Sequence, residues 1–464
     1  MNKSSIVILT YNGLGDSALC IDSIRQYTPK DKYEIIVVDN HSTDGTVGWL
    51  KNQKDIRLIE NQENKGFAAG CNQGIGIAEK GNDILLLNND TMVTPCWLEN
   101  LQACLHSAEN IGAVGPVSNY CSNGQQITAN FNERGSIFAF ANTYNRAKPR
   151  YEQKIKLVGF CMLIKREVVD TVGLLDERFF PGNYEDDDYS FRIEQAGYCL
   201  MLSQNTFVYH SGSVSFQKDP IKFRQVLAEN AHRFADKWGF QSVYSTFVRT
   251  DVLALMQEKP ERELSVLEVG CACGATLLKI KDLYPHAKLY GLESNPNAAA
   301  VAASFADVKD WDVEQMPLPY EEQSFDYILF ADVLEHLRNP GRVLQNMKRY
   351  LKQGGYILAS IPNIMHYSVM NGLLCGRFTY EDAGILDRTH LRFFTLSEIR
   401  NLFIGCQYEV VTIQSKMLPQ YENDKPIVDK LVSVSGENMR AQYNTYQYLV
   451  KARYTADEAQ LPQR

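Results

Sequence analysis

The stretch Ile84-Leu85-Leu86-Leu87-Asn88-Asn89-Asp90-Thr91 turns from aliphatic to polar within a single step. Four consecutive large aliphatic residues leave no face for solvent, so a strand built from them is covered on both sides. Its polar continuation lies just past the carboxyl end, where open α/β sheets hold their ligands. Two earlier stretches repeat the arrangement. Ile8-Leu9-Thr10-Tyr11-Asn12 closes one apolar run, and Val37-Val38-Asp39-Asn40-His41-Ser42-Thr43-Asp44-Gly45 closes another with a carboxylate and a turn. Helical spacing at 16–27 and 46–52 separates the runs at 5–10, 33–38 and 83–87. The pattern predicts an α/β sandwich whose strand ends form a nucleotide crevice.

Each polar end has chemistry to offer. Asp39 can accept hydrogen bonds from a ribose or base, while Asp44-Gly45 is a turn signal that also suits a helix start. The glycines of Asn64-Lys65-Gly66-Phe67-Ala68-Ala69-Gly70 let backbone approach a ligand, and equally punctuate a loop. Asn88, Asn89 and Asp90 present hard oxygen atoms of the kind that magnesium or manganese prefers. Such an ion, bridging Asp90 and a diphosphate, would neutralise charge that builds on a departing nucleotide.

Taken together, Thr10-Tyr11-Asn12, Val38-Asp39-Asn40, Asn64-Lys65-Gly66-Phe67-Ala68 and Leu87-Asn88-Asn89-Asp90 resemble a family 2 glycosyltransferase with the GT-A fold, over residues 6–216. The resemblance implies a nucleotide-diphosphate sugar donor contacted by Thr10, Tyr11, Asn12, Asp39, Asp44, Gly66, Asn88 and Asn89. The family's Asp-x-Asp signature has Asn88 in its first position here, which leaves Asp90 as the charged ligand. The acidic run Glu185-Asp186-Asp187-Asp188 matches the segment that carries the family's general base, assigned to Asp186, with Glu185 orienting the acceptor or the base. A carboxylate that deprotonates an acceptor hydroxyl opposite the diphosphate inverts the sugar's configuration. Arg192, one turn beyond Asp188, is expected to steady acids or phosphates. His210, after another apolar run, matches the family's metal-ligating histidine. Outside the resemblance, four acids in a row read as a solvated helix start.

The second half begins a fresh cycle. Val266-Leu267-Glu268-Val269-Gly270-Cys271-Ala272-Cys273-Gly274 joins a strand to a helix through small residues, where bulky side chains would collide with a nucleoside. It resembles the first motif of a class I S-adenosylmethionine-dependent methyltransferase, with Ala272 where the family has its middle glycine; the likeness covers 264–403. Glu268, Gly270 and Gly274 then belong to the S-adenosylmethionine site, Glu293 reads the ribose diol, and Asp312 partners the adenine amine. Asp332-Val333-Leu334-Glu335-His336 and Asp387-Arg388-Thr389-His390-Leu391-Arg392-Phe393-Phe394 resemble methyltransferases found beside glycan-assembly enzymes. His336 and His390 are candidates to take the proton of a sugar hydroxyl, and each could equally hold a loop in place.

Composition agrees with two folded units. In 464 residues, 45% hydrophobic and 22% charged content excludes wholesale disorder and fibrous architecture. A net charge of -8 speaks against a nucleic-acid partner. No apolar run approaches the roughly 20 residues that span a bilayer, so a cytoplasmic address is expected, with peripheral membrane association left open. Eleven cysteines scattered without a frame suit reduced thiols. The expected division is a GT-A domain at 1–240, a linker at 241–263, a Rossmann-like methyltransferase domain at 264–420 and a helical tail at 421–464.

The resemblances imply a bifunctional enzyme that transfers a sugar to a glycan, lipid-linked glycan or glycoprotein and O-methylates the glycan. UDP, dTDP and GDP sugars all suit the donor motifs. The rival is a methyltransferase of a small metabolite or RNA with a degenerate sugar-binding module, which Asn88 favours. A scaffold with two silent pockets is the third reading.

Overall fold

The computed structural model describes residues 3–129, 131, 133–212, 220–419 and 424–455. It divides into two compact units, Met1–Phe247 and Val248–Arg464.

The first unit contains β1 (Ser4–Thr10), β2 (Tyr33–Asp39), β3 (Ile56–Glu60), β4 (Asp83–Asn88), β5 (Thr91–Met92), β6 (Ile111–Val117), β7 (Tyr151–Lys154), β8 (Cys161–Ile164), β9 (Cys199–Phe207) and β10 (Tyr209–His210). Eight of them form a mixed sheet in the order β3-β2-β1-β4-β8-β6-β9-β7, and β5 pairs with β10 in a separate ribbon. Successive residues of a strand face opposite sides. In β1, Ile6 and Ile8 accordingly enter one core cluster while Val7 enters the other. Both faces are covered, which is why the strand reads as an unbroken aliphatic run.

The helix Gly66–Ile77 lies very close to β1. A Cβ at Gly70 would stand 2.2 Å from Leu9 Cδ1, and one at Gly74 would stand 2.4 Å from Val7 Cγ1. Glycines four apart share one helix face, so these two make the bare strip that admits the strand.

The second unit contains β11 (Ser265–Val269), β12 (Lys288–Glu293), β13 (Asp307–Asp310), β14 (Phe325–Ala331), β15 (Leu351–Pro362), β16 (Tyr408–Met417) and β17 (Thr445–Tyr454). Their order is β13-β12-β11-β14-β15-β17-β16. The first five run parallel, and β17 pairs antiparallel with both β15 and β16. Strand order reverses between β11 and β14, which opens a crevice beyond their carboxyl ends.

Two expected boundaries differ from this architecture. Residues 241–263, expected as a linker, are folded: Ser242 bonds Asp187 in the first unit, and Val252, Leu253, Leu255 and Met256 enter a core cluster of the second. The tail expected as helical does contain the helix Lys425–Ser435, but β17 inserts between β15 and β16 with Leu449, Val450 and Ala452 buried. A central strand supplied by the far end of the chain has no local signal apart from a short apolar run. Residues 420–423 and 456–464 of that tail, and 213–219 of the glycosyltransferase-like stretch, lie outside the described residues.

Candidate functional site

In the first unit, parallel register aligns Thr10 with Asp39 and Leu9 with Asn88, so β2, β1 and β4 end on one ledge. Thr10 is turned inward: its Oγ1 meets Ser17 Oγ at 2.8 Å, to which Asn89 Nδ2 also donates at 3.1 Å. Tyr11 is exposed beside them. Asn12 ties the two loops together, its Oδ1 accepting from Thr43 N at 2.7 Å and its N donating to Ser42 Oγ at 2.9 Å. Asp39 is buried; Oδ1 accepts from Ser42 N at 2.8 Å, and Oδ2 has no hydrogen-bond partner among the described residues. A buried acceptor without a partner suits a ligand N–H or O–H. Asp44 organises its own turn. Desolvation works to raise its carboxyl, but hydrogen bonds from Thr46 and from Leu14 N outweigh this and hold it below the ordinary range.

Gly66 has φ +80, and a Cβ there would meet Phe180 Cδ2 at 2.8 Å. Phe67 N donates to Pro181 O at 2.8 Å. The 64–70 loop is thereby pinned to the segment that leads into the acidic run.

The ribbon of β5 and β10 pairs Thr91 with His210, which brings Asp90 against the histidine. Asp90 Oδ1 and His210 Nε2 lie 3.2 Å apart, both buried, and neither atom makes a hydrogen bond among the described residues. His210 Nδ1 is 2.9 Å from Tyr120 O, a carbonyl that can only accept, so Nδ1 carries a proton, and in the neutral ring the lone pair is on Nε2. In that form two lone-pair atoms face each other and could hold a cation, and the carbonyl behind the ring is the usual support for a ligating imidazole. The ring is held further by stacking on Phe160 at 5.1 Å and by Asn119, which bonds both the His210 N and O at 3.0 Å.

The acidic run separates into two pairs. Asp187 accepts from Lys156 Nζ at 2.7 Å and from Ser242 Oγ. Asp188 is fully buried, meeting Arg192 Nε at 2.9 Å, Trp238 Nε1 at 2.9 Å and Lys237 Nζ at 2.6 Å. These two acids hold the helix Glu185–Gln195 in place. Asp186 is half-buried, and its Oδ2 accepts from Gly159 N at 2.8 Å. Desolvation, with the Asp187 charge alongside, pushes its carboxyl up to about 6. Burial raises Glu185 well above the ordinary range, and its Oε2 has no hydrogen-bond partner among the described residues.

Gly159-Phe160 connects these groups. Gly159 N holds Asp186, the Phe160 ring stacks on His210, and Phe160 O accepts from Asn88 N at 2.8 Å.

In the second unit, Gly270, Ala272 and Gly274 all have positive φ, at 67°, 47° and 80°. Ala272 holds the left-handed conformation that a glycine would adopt without strain. Glu293 Oε2 accepts from Ala272 N and Oε1 from Asn295 N, both at 2.8 Å, which leaves each oxygen a second lone pair for a diol. Trp311 N donates to Glu293 O at 3.0 Å, bringing the Asp312 loop to the same strand end. Asp312 Oδ1 accepts from Glu314 N at 2.9 Å. Glu268 is buried beneath the turn, and desolvation raises its carboxyl to about 8 against the opposing influences of Thr276 and Arg249. His336 and His390 meet edge to face at 4.7 Å between ring centres. Desolvation, with His390 beside it, holds the His336 imidazole below its ordinary value.

Residues 5–173 match the family described as glycosyl transferase family 2, and residues 240–413 match the one described as methyltransferase domain. The chain joins a family 2 glycosyltransferase domain to a class I methyltransferase domain. The first domain is similar to a low-salt glycan biosynthesis hexosyltransferase of Haloferax volcanii, 28% identical over 50% of this chain and 75% of the relative. The second is similar to a demethylmenaquinone methyltransferase of Shouchella clausii, 26% identical over 38% of this chain and 88% of the relative. Uncharacterized protein y4gI of Sinorhizobium fredii is 26% identical over 46% of this chain, and the match spans 24% of its length. Among solved structures, the mannosyltransferase PcManGT from Pyrobaculum calidifontis, in complex with GDP-Man and Mn2+, is similar at a TM-score of 0.38 and 19% identity, over 51% of this chain and 64% of that one.

Within the glycosyltransferase domain, Arg192, expected to steady acids or phosphates, lies on an acid. Its Nε bonds Asp188, its terminal nitrogens donate to Val172 O at 3.2 Å and Leu174 O at 2.7 Å, and its guanidinium lies over Tyr189. That acid is its (i, i+4) partner on the same helix.

Asn230 is a further residue of this domain that no motif flagged. It is fully buried on the helix Pro220–Trp238, and its Nδ2 lies 3.1, 2.9 and 3.2 Å from the carbonyl oxygens of Phe179, Gly182 and Asn183. Those carbonyls belong to the turn before the acidic helix, where Asn183 and Tyr184 have φ of 77° and 75°. Left-handed backbone at non-glycine residues costs about 1–2 kcal/mol each, and Asn230 holds the turn in that form. An asparagine inside a polar amphipathic helix carries no distinguishing signal. In the methyltransferase domain the corresponding omission is Arg249, buried and paired with Asp251 and Asp332.

Proposed function

We propose that the glycosyltransferase domain transfers a sugar, with inversion, from a nucleotide-diphosphate sugar to a glycan-type acceptor, and that the methyltransferase domain O-methylates that glycan from S-adenosylmethionine. The name of the Haloferax relative supports a glycan acceptor, which we take to be free, lipid-linked or on a protein. Among the described residues no helix is long and apolar enough to cross a membrane, and we place both reactions in the cytoplasm.

The observation that carries the first half is the facing pair Asp90 Oδ1 and His210 Nε2, joined to Asp186 through Gly159-Phe160. Asp90 and His210 would hold Mn2+ or Mg2+, which when bound supplies positive charge to the departing diphosphate. Asp39 Oδ2 offers an acceptor to the donor's base or ribose, with Asn12 keeping the neighbouring loop in place. Asp186 takes the proton of the attacking hydroxyl at its carboxylate, and burial raises its basicity for that task. Glu185, with an unpartnered oxygen alongside, orients the acceptor.

In the second half, Glu293 and Asp312 hold the ribose and adenine of S-adenosylmethionine. The positive-φ turn from Gly270 to Gly274 keeps side chains off the nucleoside. His336 and His390 stand on the acceptor side, where a hydroxyl must be aligned with the sulfonium methyl and made a better nucleophile.

Nucleotide release from a panel of UDP, dTDP and GDP sugars tests the first half: turnover by the parent chain and its loss in Asp186→Asn and Asp90→Ala are expected. Unchanged turnover in both variants would falsify the site. Mass analysis of the product formed with both donors tests the second half, which falls if sugar is transferred and no methylated product forms.

A further inference from the structure

The geometry points to a second divalent-cation site, in the methyltransferase domain, built from the Glu335 carboxylate and the imidazoles of His336 and His390. One ligand atom from each residue lies within 4.8 Å of the others. Ligands about 2.0–2.2 Å from a common ion stand roughly 3–4 Å apart, so small side-chain rotations close the set.

Both histidines are prepared as ligands in the same way. His390 Nδ1 is 2.9 Å from Ile385 O, and His336 Nδ1 is 3.3 Å from Thr389 O. Carbonyl oxygens only accept, and the Thr389 hydroxyl 3.2 Å from His336 Nδ1 already donates to Asp387, so each Nδ1 carries a proton and in the neutral ring the lone pair is on Nε2. Backbone support of this kind orients an imidazole toward a metal.

The independent observation is Glu335. Its side chain is 1% exposed, and neither carboxylate oxygen has a hydrogen-bond partner among the described residues. Its own backbone carbonyl is tied down, accepting from Leu391 N at 2.9 Å and Arg392 N at 3.0 Å. Arg249 lies near enough to act on it by charge but gives it no hydrogen bond; a buried carboxylate without one is costly, and buried charges are paired or coordinate metals. Nearby Asp332 cannot serve it, since it is engaged by Arg249, Ser360 and Gln447.

Three protein ligands in an N,N,O set leave coordination positions open, the pattern of sites that bind a reactant. Glu335 and His336 follow shortly after β14, and Val333, two residues before Glu335, would lie 2.9 Å from a Cβ on Gly270 of the nucleoside turn. An alcohol oxygen is the ligand this position suits, because a cation lowers the pKa of a bound hydroxyl. In the resulting step the hydroxyl oxygen bonds to the methyl carbon as the carbon–sulfur bond breaks. S-adenosylhomocysteine leaves with that electron pair, and the hydroxyl proton passes to water. The site rests on geometry alone; its use on an acceptor oxygen rests on the methyltransferase reading.

The test uses the full chain carrying Asp90→Ala and His210→Ala to silence the first site. After chelator treatment it is titrated with Co2+ and followed by visible absorption. Saturable binding with histidine-type ligand-field bands is expected, as is its loss on adding His336→Ala or His390→Ala while calorimetric S-adenosylmethionine binding is retained. Absence of Co2+ binding in a background that still binds S-adenosylmethionine overturns the site, as does binding undiminished by both histidine variants. Catechol, a chelating diol, probes the open positions: shifted bands uphold the acceptor role, and unshifted bands overturn that role. Failure to bind S-adenosylmethionine, with the Co2+ result intact, counts against the methyltransferase reading instead.

Discussion

Gly159 donates its backbone N–H to Asp186 Oδ2 at 2.8 Å, and a Cβ on that glycine would come within 3.2 Å of the Asp186 Cβ. The glycine lets the backbone approach the acid closely enough to fix its rotamer. The next residue, Phe160, lies flat against His210. Acid and histidine come from distant parts of the chain, and this two-residue turn sets them with respect to each other.

Asp186 is expected to govern the pH profile of sugar transfer. Its acid form cannot accept a proton, and its folded value is raised to about 6. Activity should therefore be full above that value and fall about tenfold per unit below it. In Asp186→Asn, kcat should drop by about 10²–10⁴ with the donor KM little changed. Rates of nucleotide release measured across the weakly acidic range check both, and a flat profile in the parent would remove Asp186 from the role.

The cation preference should reside in Asp90 and His210. Either alanine variant is expected to lose Mn2+ binding by at least about tenfold, since each contributes one of the two facing lone pairs. Mn2+ titration followed by water-proton relaxation, in a chain that also carries His336→Ala and His390→Ala, reads this. Retention of parental affinity in both variants would place the ion elsewhere.

Removing the Asn230 amide should destabilise the glycosyltransferase domain by about 2–3 kcal/mol, because its Nδ2 faces three carbonyl oxygens, at 3.1, 2.9 and 3.2 Å, in a buried setting. Asn230→Ala should also lower kcat more than it raises the donor KM, as the turn before the acidic helix loosens. Urea unfolding together with steady-state kinetics tests this. A stability change under about 0.5 kcal/mol, the ordinary surface range, would show that the turn holds itself.

Gly74→Ala forces a methyl group to within 2.4 Å of Val7 Cγ1. Valine has little rotamer freedom, so the helix must move off β1, at an expected cost of about 1–3 kcal/mol. Gly76→Ala, which meets nothing within 4 Å, is the control and should be neutral or stabilising. Thermal unfolding of the pair distinguishes a packing glycine from a conformational one, and equal midpoints would reject the packing argument.

Glu293→Ala should weaken S-adenosylmethionine binding by about ten- to a hundredfold, because it removes a charged acceptor from the diol and also frees the Ala272 and Asn295 amides. Isothermal titration calorimetry measures the change. Binding within twofold of the parent would assign Glu293 to loop geometry alone.

Much of this was legible residue by residue, and the exceptions share a cause. Asp39, Asn88, Glu268 and Glu293 follow or end apolar runs, so their positions at strand ends could be read from hydrophobic pattern alone. Arg192 and the four acids could not be sorted that way. Whether an acid serves chemistry or packing depends on which cation stands opposite, and Lys156, Lys237 and Trp238 reach Asp187 and Asp188 from other elements. Asn230 and Glu335 are single residues in unremarkable local contexts, and their roles lie in what they face.

The amino-acid sequence by itself determined that there are two α/β units, with polar ligands waiting at the ends of buried strands, because backbone periodicity and apolar content are local properties. Only the tertiary structure decided that Asp90 meets His210, that Glu185 and Asp186 rather than Asp187 and Asp188 stay available, that β17 closes a sheet begun far upstream, and that Glu335, His336 and His390 share one spot. Those outcomes depend on strand order and on long-range pairing of charges, and neither is encoded in any contiguous stretch of chain.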